Sequence, residues 1–134
     1  MWQGTNKALD VINDNTDNKL QLATSGAYSG QYWRFTDIGG GAYRLTCLWK
    51  GLGKSIGVLN DSQKRLLRLQ DSILDDTQTW VLSNMPNGYY RLNSKLVPKK
   101  ALDIINDNVD KTPQMAARGN YSGQYWKLTK IRKV

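Results

Sequence analysis

The sequence predicts an all-β domain assembled from three copies of one unit, and three observations carry that prediction. The triplet Gln-x-Trp occurs at Gln31-Tyr32-Trp33, Gln78-Thr79-Trp80 and Gln124-Tyr125-Trp126, at steps of 47 and 46 residues in a chain of 134. Short segments that alternate apolar and polar side chains recur at matching offsets, the period-2 pattern of half-buried strands. Clusters of Asn, Asp, Gly and Ser separate them, which is turn chemistry, and no longer window carries a helical stripe. A fixed period of this size marks a repeat architecture, in which each copy buries its apolar face on its neighbours.

Each element of the unit can be followed through the copies. The first strand is Lys7-Ala8-Leu9-Asp10-Val11-Ile12, matched by Lys54-Ser55-Ile56-Gly57-Val58-Leu59 and Lys100-Ala101-Leu102-Asp103-Ile104-Ile105. An Asn-Asp pair follows each time, Asn13-Asp14, Asn60-Asp61 and Asn106-Asp107, and suits a turn. The second strand is Leu20-Gln21-Leu22, Leu67-Arg68-Leu69 and Pro113-Gln114-Met115. The third carries the tryptophans, as Trp33-Arg34-Phe35, Trp80-Val81-Leu82 and Trp126-Lys127-Leu128. The fourth is Tyr43-Arg44-Leu45 and Tyr90-Arg91-Leu92. Its first copy would fall before Met1, while Trp2 aligns with Trp49, so a weak seam is expected between the first and last repeats. Three four-stranded units are too few for a propeller of about four to eight blades, whereas closing about twelve strands around a threefold axis removes exposed edges. Leu9, Leu20, Leu22, Trp33 and Phe35, with their counterparts, would then meet in one core. The predicted architecture is a β-trefoil in one domain, residues 1–134, with repeats at roughly 1–42, 43–89 and 90–134.

Composition narrows the function. A hydrophobic content of 40% with five Trp and seven Tyr describes a globular chain. No run approaches the roughly 18 apolar residues of a membrane span, and the N-terminus lacks the apolar core of a signal peptide. Cys47 is the single cysteine and histidine is absent, which excludes an intrachain disulfide, histidine-based zinc sites and a His-dependent triad. These features fit a cytoplasmic chain or a module cut from a longer secreted one. The net charge of +8 permits acidic partners. Its basic residues are spread out, among them Lys64, Arg65, Arg68, Lys99, Lys100, Lys127, Lys130, Arg132 and Lys133. No aromatic interleaving accompanies them, so nucleic acid is not the expected partner. Asp10 and Asp14 do not suggest a hydrolase, which needs two carboxyl groups flanking a pocket with one acid raised. No enzyme activity, metal or cofactor is expected.

These motifs together resemble the ricin-type β-trefoil lectins, also called Gln-x-Trp lectins, over essentially the whole chain. The resemblance implies a non-enzymatic sugar-binding module, which occurs alone or appended to toxins and glycoside hydrolases. It also implies that the first-strand aspartate accepts hydrogen bonds from hydroxyls of galactose-type sugars. That role falls on Asp10 and Asp103, whereas the middle repeat has Gly57. The second-strand glutamine falls on Gln21 and Gln114, with Arg68 in the middle copy, and the triplet glutamine on Gln31, Gln78 and Gln124. The stacking ring that many members carry two residues after the second-strand glutamine is replaced by Ala23 and Ala116.

Comparison among the three copies sorts framework from site. Gln78 and Trp80 persist in the repeat that lacks the aspartate, so the Gln-x-Trp triplet is first a folding element. The first and third repeats alone share the aspartates, the second-strand glutamines and the hexapeptide Tyr-Ser-Gly-Gln-Tyr-Trp, residues 28–33 and 121–126. A carboxylate, an amide and an aromatic ring are what a pyranose needs: an acceptor, a two-way hydrogen-bonding group and a face for its C–H surface. The candidate sugar-binding residues are therefore Asp10, Gln21, Tyr28 and Gln31 in repeat one, and Asp103, Gln114, Tyr121 and Gln124 in repeat three. Tyr28 and Tyr121 would supply the ring from a loop. The rival expectation is a trefoil that docks or inhibits a protein through its loops.

Overall fold

The computed structural model of the chain describes residues 7–13, 19–59, 67–73, 75–104, 112–119 and 121–128. Trp2, the Asn-Asp pairs beyond Asn13, and Lys64, Arg65, Lys130, Arg132 and Lys133 lie outside them. The described residues hold ten strands: β1 (Lys7–Val11), β2 (Leu20–Thr24), β3 (Trp33–Gly39), β4 (Ala42–Cys47), β5 (Gly51–Val58), β6 (Leu67–Asp71), β7 (Trp80–Asn84), β8 (Tyr90–Ser94), β9 (Lys100–Ile104) and β10 (Pro113–Ala117). A single-turn 3-10 segment precedes each of the three tryptophan positions, at Ser29–Gln31, Asp76–Gln78 and Ser122–Gln124.

The repeats superimpose in register as well as in sequence. β1 pairs with β2, β5 with β6 and β9 with β10, all antiparallel. In each hairpin the first-strand site position lies directly opposite the second-strand one: Asp10 faces Gln21, Gly57 faces Arg68 and Asp103 faces Gln114. Leu20 and Leu22 with their counterparts point inward, and β2, β6 and β10 approach one another pairwise. Neighbouring repeats interlock through the fourth strand. Tyr43 pairs with Trp80, and Tyr90 with Trp126 through two backbone bonds of 2.8 and 2.9 Å. This is the threefold arrangement of a β-trefoil, with an apolar centre running from Leu9, Val11 and Leu22 through Ile56, Leu69 and Trp80 to Leu102, Met115 and Trp126.

Two core expectations are corrected. Trp80 and Trp126 are buried, but Trp33 is only half-buried and packs against the edge of the core. Trp80 pairs with Tyr43 and Trp126 with Tyr90, and among the described residues no such tyrosine pairs with Trp33. Leu128, the counterpart of the half-buried Phe35 and Leu82, is 40% exposed. Beyond the Trp126 bridge, residues 127–128 form no strand, and among the described residues no ladder partner turns Leu128 inward. No helix among the described residues is long and apolar enough to cross a membrane.

Candidate functional site

The triplet glutamine builds the loop on which the site stands. The side-chain oxygen of Gln31 accepts from the Gly26 N–H at 3.0 Å, and its amide donates to the Thr24 carbonyl at 2.9 Å. Gln78 makes the equivalent bonds to Ile73 N–H and Asp71 O, at 3.0 and 2.8 Å. Gln124 makes them to Gly119 N–H and Ala117 O, at 3.2 and 2.8 Å. Buried backbone groups need such partners where the chain leaves the ladder. The following tryptophan closes the loop onto the first strand. Its indole N–H donates to Leu9 O at 2.9 Å, to Ile56 O at 3.1 Å and to Leu102 O at 3.2 Å in the three repeats. Gln78, at 1% exposure, and Gln124, at 0%, are sealed in. Gln31 likewise spends both amide atoms on the backbone of its own loop.

Within this frame the aspartate occupies a notch left by a glycine. In repeat one, a Cβ added to Gly30 would stand 2.8 Å from Asp10 Oδ1. In repeat three, a Cβ on Gly123 would stand 2.2 Å from Asp103 Oδ1, closer than real contacts allow. The middle repeat reverses the pair. The strand residue is Gly57, and the turn residue equivalent to Gly30 is Thr77. A Cβ on Gly57 would meet Gln78 Cγ at 3.1 Å and the Thr77 carbonyl at 3.4 Å. Thr77 is held by Asp75, whose carboxylate accepts from both its N–H and its hydroxyl. Strand aspartate and turn glycine therefore occur together, and in the middle repeat the strand glycine lies against Gln78 and the Thr77 carbonyl instead. The glycines were visible in the shared hexapeptide, but only the contact shows what they do.

The two aspartates are held differently. Gln21 donates to Asp10 Oδ2 at 3.1 Å, which fixes the carboxylate across the β1–β2 hairpin. Asp103 turns back toward its own strand. Its Oδ1 accepts from Ile104 N–H at 2.7 Å and its Oδ2 from Gln124 Nε2 at 3.4 Å. Burial pushes the Asp103 carboxyl above the usual Asp range, opposed by those two donors. Gln114 stays opposite Asp103 in register.

The rings stand at the rim. Tyr28 and Tyr121 are 62% and 60% exposed. Each lies across a glycine, with Cε2 2.4 Å from where a Cβ on Gly26 or Gly119 would stand. Arg91 donates to the Gly119 carbonyl at 2.9 Å and supports the third loop from β8. In repeat one the Cys47 thiol and the Trp49 N–H both donate to Ser29 O at 3.3 Å, tying the turn after β4 to the site loop. Burial raises the Cys47 thiol, so it is a packed structural group. Each site thus presents a carboxylate, a glycine-floored notch and an exposed ring. Among the described residues no group of three or more metal-ligating side chains gathers.

A domain of this architecture and surface belongs to the β-trefoil lectin class. The sequence model of the ricin-type beta-trefoil lectin domain-like family matches residues 29–117, and the chain belongs to that family. No curated protein sequence matches it significantly. Among solved structures it is similar to ThreeFoil, a designed threefold-symmetric protein, at 28% identity and a TM-score of 0.82, covering 93% of this chain and 91% of that one. It is also similar to a mosquitocidal holotoxin, at 19% identity and a TM-score of 0.82, covering 95% of this chain and 16% of the toxin. A lectin of Polyporus squamosus, solved with Neu5Aca2-6Galb1-4GlcNAc, matches at 15% identity and a TM-score of 0.70, over 92% of this chain and 44% of the lectin. The chain is thus nearly as long as the designed protein and spans a minor part of the toxin and of the fungal lectin.

Proposed function

We propose that this lectin-type module binds glycans at two sites, in repeats one and three, and that the middle repeat has lost its site. The observation that carries the reading is the pairing of Asp10 with the Gly30 notch and of Asp103 with the Gly123 notch, against its reversal at Gly57 and Thr77. A framework role alone would keep the same residues in all three repeats, as it does for Gln31, Gln78 and Gln124.

Asp10 and Asp103 accept hydrogen bonds from sugar hydroxyls. Gln21 orients the Asp10 carboxylate, Gln21 and Gln114 offer an amide edge, and Tyr28 and Tyr121 pack on the C–H face. Gln31 and Gln124 serve by holding the loop. Galactose-type glycans are the class that the family resemblance favours. The module performs no reaction of its own. It delivers affinity to whatever chain carries it, and one domain, residues 1–134, suffices for both sites.

A shallow monosaccharide site gives about 4–5 kcal/mol, roughly millimolar. Two sites on one rigid domain raise apparent affinity for clustered glycans by effective concentration. Replacing either Asp10 or Asp103 by Ala should halve the sugar-binding capacity measured by titration, with unchanged circular dichroism. Undiminished binding by the double variant would refute the assignment.

A further inference from the structure

The middle repeat departs from its neighbours at a second place, where its loop meets the hairpin that joins β3 to β4. Ile38 and Ala42 from that hairpin, Asp75, Asp76 and Thr79 from the loop, and Lys95 beyond β8 border an open hollow of about 190 Å³. Backbone bonds fix its walls. Ala42 pairs with Val81, the Thr79 hydroxyl donates to Asp75 O at 2.8 Å, and the Lys95 N–H donates to Thr79 O at 3.0 Å. The hollow exists because Ala42 and Thr79 are small. Their counterparts one repeat on are Tyr89 and Tyr125, whose rings stack with centroids 5.8 Å apart at that next junction. Repeat one likewise carries Tyr32 at the Thr79 position.

The charges belong to the middle repeat in the same way. Asp76 is matched by Ser29 and Ser122, and Lys95 by Leu48 one repeat back. The Asp76 carboxylate and the Lys95 ammonium stand 3.7 Å apart, too far for a hydrogen bond, and both side chains are more than half exposed. Such a pair contributes little to stability. It leaves an acceptor and a donor separated by a gap that one hydroxyl group bridges, accepting from Lys95 and donating to Asp76. Asp75 keeps acceptor capacity as well, because only its Oδ1 is spent on Thr77. Ile38 and Ala42 add apolar surface beside these groups.

The lining selects against ions. Lys95 and the net charge of +8 repel a cation, while Asp75 and Asp76 repel an anion. A neutral guest with hydroxyls on one side and C–H surface on the other suits both walls. A volume below the roughly 300–1,000 Å³ of pockets for drug-sized ligands limits that guest to one small ring. We propose that the hollow is a further sugar subsite, outside both notches, which takes one neutral pyranose between the Asp76–Lys95 pair and the apolar surface of Ile38 and Ala42. Its choice of a sugar rests on the lectin reading, whereas its geometry owes nothing to Asp10 or Asp103. With no ring to stack on, it fills at higher sugar concentration than the notches and is emptied by the washes of an array. The middle repeat then adds a weak extra contact to a clustered glycan, although Gly57 leaves its own notch without a carboxylate.

The test is solution NMR of the isotope-labelled full chain, in the Asp10→Ala/Asp103→Ala background that silences the notches. Galactose, glucose, mannose and N-acetylglucosamine are titrated singly, with ethylammonium and acetate as ionic probes, and every variant is checked for folding by thermal melt. At least one sugar should shift the backbone amides of Ile38, Asp76, Thr79 and Lys95 along a saturating curve, and neither ion should. Asp76→Ala/Lys95→Ala should raise the dissociation constant about tenfold or more, the factor for lost hydrogen bonds to charged groups. Ala42→Tyr/Thr79→Tyr, which copies the ring pair of the next junction, should abolish the shifts. If no sugar moves these amides, if the ions move them instead, or if the curve is unchanged in Asp76→Ala/Lys95→Ala, the subsite is overturned. The same titration of the wild type reads the notches through the amides of Asp10 and Asp103. A response there with silence at the hollow overturns the subsite alone, and silence at both overturns the lectin reading with it. Because Asp76 and Lys95 are surface side chains, their variant tests the subsite even where Ala42→Tyr/Thr79→Tyr does not fold.

Discussion

At the scale of single residues, the site is a negotiation between a strand and a turn over one small volume. Asp103 Oδ1 stands where a Cβ on Gly123 would be, so Gly123→Ala should displace the carboxylate and abolish sugar binding in repeat three. Titration of Gly123→Ala in an Asp10→Ala background checks this, and residual binding would contradict it. Conversely, Gly57→Asp alone should create no third site, because Gln78 and the Thr77 carbonyl already border that space. The raised Asp103 carboxyl gives a pH signature. Unfolded chains release this proton first, so stability falls as pH climbs from the ordinary Asp range to the raised folded value, and is level above it. Thermal melts across the acid range should show the wild type losing ground to Asp103→Asn over that window, and parallel curves would contradict the cause. Sugar binding at Asp103, which needs the ionised form, should fade on acidification sooner than an ordinary aspartate would impose. That Asp10 and Gln21 stand at equivalent positions in repeats one and three, as Asp103 and Gln114 do, was legible from sequence, whereas their hydrogen bond was not. The turn of Asp103 toward Ile104 and Gln124 was not, because packing decides between two acceptable rotamers.

At the scale of elements, the Gln-x-Trp triplet is a fastener between a loop and the first strand of its own repeat. Each glutamine supplies an acceptor and a donor to backbone groups two residues apart, and each indole caps a first-strand carbonyl. Gln78→Ala should therefore destabilise by about 1–3 kcal/mol for each backbone group left unpartnered. Trp80→Ala, a large deletion in the core, should cost about 3–5 kcal/mol. Chemical denaturation measures both, and a Trp80→Ala variant of wild-type stability would contradict its place in the core. Persistence of the triplet in the middle repeat had already marked it as framework, and that logic extends to Gln31 and Gln124, which sequence alone also credited with sugar contact. Trp33 and Leu128 were misjudged because a periodic pattern assigns each copy the same burial. Burial instead depends on whether a neighbouring strand covers the position, as Tyr43 and Tyr90 cover Trp80 and Trp126.

At the scale of the molecule, repetition lets one domain separate stability from recognition. Three fasteners and the buried leucines close the trefoil, while two of three loops keep a carboxylate in a glycine notch. The middle repeat has Gly57 where the other two carry the aspartate and Thr77 where they carry the glycine. On the two-site reading proposed above, clustered glycans gain from engaging both notches of one domain. The positive charge adds a salt-dependent attraction to acidic polymers, but contacts through Asp10 and Asp103 to neutral hydroxyls should change little with ionic strength. The most direct measurement is a glycan array of the intact chain beside the Asp10→Ala/Asp103→Ala variant, at physiological salt and with both shown to be folded. Two-site recognition predicts selective glycan binding by the first and none by the second. Equal binding by the two, or no selective binding by the folded wild type, would contradict it.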